Sequence, residues 1–186
     1  YKPVQLLEPS QYYINSGRNA LFQGGKSRIT LPVSLPKNTI EWYYTFSATR
    51  NQEEVAKTKE MFHLLGDLTK LIDKSKVVDI TVGMLTRPPG GNVCDVYLLD
   101  PTNRSPFEEK TDFHHYLEGS RENIVSGVVK IKSTLLPNNY LGIKNPDEGY
   151  GIHVIVEAVA ITLNDQWGLK DSVKYDVPSR NEAYLK

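Results

Sequence analysis

The sequence predicts an all-β domain, an antiparallel β-sandwich or jelly roll with one helical insertion at about residues 51–74. Three observations predict it. Apolar residues recur with a period of two over residues 27–35, 39–49 and 151–161, which places them on one side of a pleated strand. Only residues 51–74 show helical spacing, with Met61, Leu64, Leu65, Leu68 and Ile72 separated by three and four. The strand-like segments follow one another through turns and irregular loops and not through helices, which excludes a parallel βαβ arrangement.

The most apolar run is residues 151–161, and it anchors the reading. Ile152, Val154, Val156, Ala158 and Ala160 share one face. His153, Ile155, Val159 and Ile161 share the other, with Glu157 as its only charge. A strand apolar on both faces is covered on both, so this segment is expected to be central. Residues 140–144 precede it as a strand, joined by the turn formers Asn145-Pro146-Asp147-Glu148-Gly149 in a hairpin.

From the start of the chain, residues 1–8 read as a lead-in arm or a short strand, and residues 11–14 as a strand. Residues 15–19 form a turn, and Ala20-Leu21-Phe22 is a short strand broken by Gly24-Gly25. Residues 27–35 alternate, and Pro32 within them demotes the strand to a sheet edge. In residues 39–49, Ile40, Trp42, Tyr44, Phe46 and Ala48 face the core, with Glu41, Tyr43, Thr45 and Ser47 opposite. Asn51 caps the helical insertion, Glu53 and Glu54 suit its first turn, and Gly66 kinks it or ends the first of two helices. Residues 77–85, 93–99 and 126–133 are strands, and residues 104–123 are polar and irregular. Trp167 is expected to pack back on the domain before an extended tail. The whole makes a single domain over residues 1–186.

Composition limits the function classes. Lys plus Arg is 22 and Asp plus Glu is 22, so the net charge is zero, which argues against nucleic-acid binding by phosphate neutralisation. No run approaches the length of a transmembrane helix. Cys94 is the only cysteine, which excludes an intramolecular disulfide and a cysteine-rich zinc site. The chain begins at Tyr1 and not Met, as a processed or trimmed chain would, and a removed signal peptide is one such route. Eleven Tyr against five Phe match the composition of exported β-proteins, so the expected location is secreted, periplasmic or at the cell surface.

The segments DVYLLDPTN (residues 95–103), SGVVKIKS (126–133) and NYLGIKNPDEGYGIHVIVEAV (139–159) carry a resemblance. Residues 77–161 resemble small secreted bacterial β-sandwich modules of the GOLD or pre-peptidase C-terminal type. In those modules a Tyr-led strand is followed by a polar turn and a long closing strand. The resemblance implies a non-catalytic module with binding or secretion-linked roles. The helix at 51–74 departs from it, and no functional residue is carried over.

No familiar catalytic motif is present. There is no HExxH, no GxSxG elbow, and Gly24-Gly25-Lys26-Ser27 lacks the spacing and the following helix of a phosphate loop. Adjacent His114 and His115 point to opposite faces of a strand and cannot chelate one metal. Cys94 lies in an apolar strand as a small buried hydrophobe. No cofactor is expected other than possible calcium, for which Asp95, Asp100 and Asn103, taken to border one loop, are the candidate ligands; the same residue types also make turns without an ion. Asn145, Asp147 and Glu148 form a second acidic turn.

Candidate ligand-binding residues are Tyr43, which alternation points outward, and Arg104, Phe107, Phe113, Tyr116 and Arg121 of the 104–123 loop. Equally, those rings could anchor the loop to the core. The expected function is a non-catalytic module of an exported bacterial protein, binding a protein or a glycan through loops. Two alternatives stand beside it: a hydrolase using Asp112, His114 and Glu118, and a structural or assembly protein that packs the 51–74 helix on a partner.

Overall fold

A computed structural model, which describes residues 1–75 and 80–163, has eight strands among those residues. They are β1 (Lys2–Ile14), β2 (Arg28–Ser34), β3 (Thr39–Thr49), β4 (Cys94–Leu99), β5 (Tyr116–Ile124), β6 (Ser126–Ile131), β7 (Asn138–Lys144) and β8 (Ile152–Thr162). Four helices join them: α1 (Gly17–Gln23), α2 (Gln52–Lys59), α3 (Leu64–Ser75) and α4 (Arg104–Glu109). Trp167 and the expected tail lie outside the described residues, as do residues 76–79.

The strands form two four-stranded antiparallel sheets, in the orders β1-β8-β3-β6 and β2-β7-β4-β5. The pairings are nested. First pairs with last, second with seventh, third with sixth, and fourth with fifth, as in one long hairpin folded at β4–β5. Rolling that hairpin brings β8 beside β3 and β7 beside β4, which makes the jelly-roll form of a β-sandwich. β8 is an inner strand buried on both faces, and Pro32 sits in edge strand β2, both as the sequence predicts.

Several local expectations are corrected. β7 and β8 are not a hairpin: they lie in opposite sheets, and residues 145–151 cross between them. The reason is Asn145, whose buried side-chain amide donates to the carbonyls of Ile14, Asn15 and Tyr150 and ties the turn to the end of β1. Residues 20–22 are helical and not a strand, because Ser16 Oγ caps the segment by accepting from Asn19 N at 3.0 Å. The described part of 77–85 holds a 3-10 turn at Val82–Met84, not a strand. Its apolar residues Ile80 and Leu85 pack under α3. Residues 104–123 are not irregular but give α4 and β5, too short and too polar to show a period. Residues 1–14 merge into one strand with two register shifts. A shift between Thr39 and Glu41 also turns Ile40 away from the core face and toward α3.

Trp42, Tyr44, Phe46, Val96, Leu98 and Leu141 fill the space between the sheets. The helical insertion covers the outer face of the first sheet. Leu64, Leu68 and Ile72 of α3 pack on Tyr43, Val159 and Ile161, while Val55 and Phe62 pack on Ile155. Each fully buried side chain of this size contributes about 1.5–3 kcal/mol. Two buried carboxylates belong to this interface. Glu157, the lone charge on its face of β8, accepts from the first two backbone N–H groups of α3, Leu64 at 3.0 Å and Leu65 at 3.2 Å. Those donors have no partner within a helix, and the helix dipole favours an anion there. Glu41 accepts from Tyr43 Oη at 2.6 Å and pairs with Lys130 Nζ at 3.0 Å.

On the outer face of the second sheet, Gly142 makes room for α4. A Cβ there would lie 2.8 Å from Leu99 Cδ1 and 2.9 Å from Phe107 Cε1, so only glycine lets Phe107 seat against the sheet.

Candidate interaction surface

The six predicted ligand-binding residues do not share one surface. Tyr43 does point to the outer face of β3, but the expectation that it reaches solvent is corrected: it is 0% exposed, because α3 covers that face. Arg104, Phe107 and Phe113 lie over the second sheet. Phe107 and Phe113 meet edge to face at 5.2 Å, and both pack on Tyr97. The Arg28 guanidinium lies 5.3 Å from the Phe107 ring centre and donates to the Phe107 carbonyl at 3.0 Å. Arg104 stacks on Tyr140 at 5.2 Å. Phe107 is fully buried, so this group anchors α4 to the sheet instead of offering open ring faces. Tyr116 packs against the core between the sheets, and Arg121 lines a cleft beside β6.

The proposed metal ligands are also separated. Asp95 and Asp100 lie near opposite ends of β4, roughly 16 Å apart at about 3.3 Å per residue, and do not border one loop. Asp95 is buried, pairs with Lys144 Nζ at 3.1 Å and accepts from Asn123 N. Asp100 accepts from the backbone N–H groups of Thr102 and Asn103 and from both their side chains. Partial burial works to raise its pKa, but these hydrogen bonds together hold it below the usual carboxylate range. Asn103 Oδ1 is engaged by His114 N at 2.7 Å. Among the described residues no three His, Cys, Asp or Glu side chains form a metal-binding group.

The hydrolase set is not assembled either. Asp112 and His114 are exposed. The Glu118 carboxylate instead accepts from the backbone N–H groups of Lys132, Ser133 and Thr134, which outweigh partial burial and lower its pKa. Burial pushes the Cys94 thiol up to about 12, so it stays protonated and poorly nucleophilic.

A different site emerges where α1 meets residues 145–151. The seven-residue α1 buries none of its residues, and a helix this short does not hold itself together in water. Polar contacts fix it. Gly17 N and Arg18 N, which lack partners within the helix, donate to the carbonyls of Asp147 and Glu148 at 3.3 Å each. Asn19 Nδ2 donates to Gly149 O at 3.1 Å. Asn15 Nδ2 reaches Gly24 O at 2.9 Å, where Gly24 and Gly25 take φ of 82° and 89° and turn the chain back into β2.

The 145–151 turn is equally well fixed. Asp147 Oδ1 accepts from Gly149 N and Tyr150 N at 2.8 Å each, and the Arg50 side chain pairs with Oδ2. The two backbone N–H groups foremost, with Arg50 beside them, lower the Asp147 pKa. The Arg50 guanidinium also lies 4.8 Å from the Tyr150 ring centre. Held out by this network are Leu21 (77% exposed), Phe22 (76%) and Tyr150 (66%), three of the most exposed large apolar side chains among the described residues. Tyr13, whose ring lies tilted at 5.0 Å from that of His153, is exposed at the neighbouring end of β1.

A strand reading of residues 20–22 hides this site. The signal in the sequence is a capping serine, Ser16, ahead of an apolar pair that has no apolar mates three or four residues away before Gly24-Gly25 ends the segment. Among the described residues no helix is long and apolar enough to cross a membrane. The chain matches no family model and no curated protein.

Proposed function

We propose that the chain is a non-catalytic interaction module of an exported bacterial protein, and that it engages a protein partner through the apolar residues of α1 and the 145–151 turn. One observation carries this reading: a helix that buries nothing is held rigid by hydrogen bonds to a second loop, and it presents Leu21 and Phe22 to solvent. Exposed apolar side chains on a pre-organised scaffold reduce the ordering cost of binding, and such groups mark interaction surfaces. The tyrosine-rich composition supports export.

The test is capture by the immobilised protein from envelope and medium fractions of the producing cells. Three proteins are compared: wild type, L21S/F22S, and L117S, which alters an equally exposed leucine on β5 (79%). The expected result is a protein retained by wild type and L117S and lost by L21S/F22S. Equal retention by all three would overturn the proposal. So would a glycan ligand that L21S/F22S loses in place of a protein.

A further inference from the structure

The two sheets end side by side at β5 and β6, and the seam between these edge strands is open. A cleft of about 490 Å³ lies there, within the range of small-molecule sites. Leu85, Ile124, Val128 and Val129 give it apolar walls, and Arg87 and Arg121 line it as well. The hydrogen bonds of both guanidiniums go to neutral oxygens. Arg87 donates to Ser126 O at 2.7 Å and Ser126 Oγ at 3.3 Å. Arg121 Nη1 donates to the carbonyls of Ser120 at 2.6 Å, Glu118 at 3.2 Å and Leu117 at 3.5 Å.

A guanidinium has five N–H donors, so each arginine keeps donors to spare. Neither forms an ion pair among the described residues, whose pairs are Arg50–Asp147, Arg104–Glu108, Lys130–Glu41 and Lys144–Asp95. The acidic side chains flanking Arg121 along the chain are engaged elsewhere: Glu118 by backbone N–H groups, and Glu122 by Tyr97 Oη at 2.7 Å. Among the described residues, therefore, two positive charges without carboxylate partners stand against apolar walls.

We infer that this cleft binds a small molecule with an apolar body and a carboxylate head. The planar guanidinium fork matches a carboxylate, and the walls accept the chain attached to it. The site is separate from the α1 surface and does not depend on it.

Calorimetric titration with dodecanoate, kept below its micelle-forming concentration, tests this. Dodecanoate is expected to bind wild type at least about tenfold more tightly than dodecanol does, the size of effect a lost charge-assisted contact produces. R87Q and R121Q are each expected to weaken it by about tenfold, and R121K to restore part of the loss. No binding of dodecanoate, equal binding of dodecanol, or unchanged binding in both glutamine variants would overturn the inference. Tighter binding of dodecyl phosphate would overturn the carboxylate assignment. The comparison of the acid with the alcohol uses only wild type, so it decides the matter even where a variant does not fold.

Discussion

Helices α3 and α1 both carry apolar side chains, and the sandwich treats them in opposite ways. α3 lays Leu64, Leu68 and Ile72 on the outer face of the first sheet, and a buried carboxylate from that sheet receives its N-terminus. α1 buries none of its residues. It is held by its ends, through Ser16, Asn19 and the carbonyls of 147–149, while Leu21 and Phe22 face water. In α3 the apolar residues stabilise this fold. In α1 they do not, and we propose that they serve a partner outside it.

The largest expected effect is on the α3 side. Leu68 is fully buried, so Leu68→Ala removes packing and leaves a cavity, with an expected loss of about 2–5 kcal/mol in urea unfolding. A loss under about 1 kcal/mol would mean that α3 rests only loosely on the sheet. Next is Glu157→Gln, which removes the charge facing the helix N-terminus and turns an amide NH₂ toward donors it cannot satisfy. A loss of about 1–3 kcal/mol is expected by the same measurement.

These residues also show what was legible in advance. Most of the strands, the central place of β8 and the helical insertion follow from periodicity, because each buries a regular face, whereas β5 shows no period and the alternating residues 77–85 form no strand in their described part. Glu157 and Tyr43 could be read from alternation as facing away from the core, and the apolar second face of β8 predicted a cover over Glu157, but the more polar second face of β3 did not reveal that Tyr43 is covered or by which element. That information lies in α3, over ninety residues from Glu157. The separation of β7 from β8 was hidden for a similar reason, since a turn sequence is the same whether the chain pairs back or crosses to the other sheet. The α1 surface was missed because one cap and two apolar residues are too few to set a period. Of the predicted site residues, Phe107 and Phe113 fell to the anchoring role that the sequence left open, and Arg121 reached a cleft by lying on an edge strand.

A smaller effect is expected where β1 meets β8 near the exposed loops. Desolvation lowers the pKa of His153, whose Nδ1 lies 2.9 Å from Gln11 Nε2, below the ordinary value of 6.5. The unfolded chain then binds the proton more readily than the fold does. The His153 contribution to stability is complete above that ordinary value and falls as pH drops through it. The thermal midpoint of wild type should therefore fall more than that of His153→Gln between about pH 7.5 and 5. Parallel curves would show that His153 is solvated alike in both states.

The most direct measurement of the central claim combines two readings on L21S/F22S: urea unfolding and capture of the partner that wild type retains. The expected change in stability is within about 0.5 kcal/mol, because neither side chain is buried, while capture is lost. Destabilisation of the size expected for Leu68→Ala would contradict the account, since it would show that α1 serves the fold. Unchanged stability with unchanged capture would contradict it equally, since the exposed residues would then serve no partner.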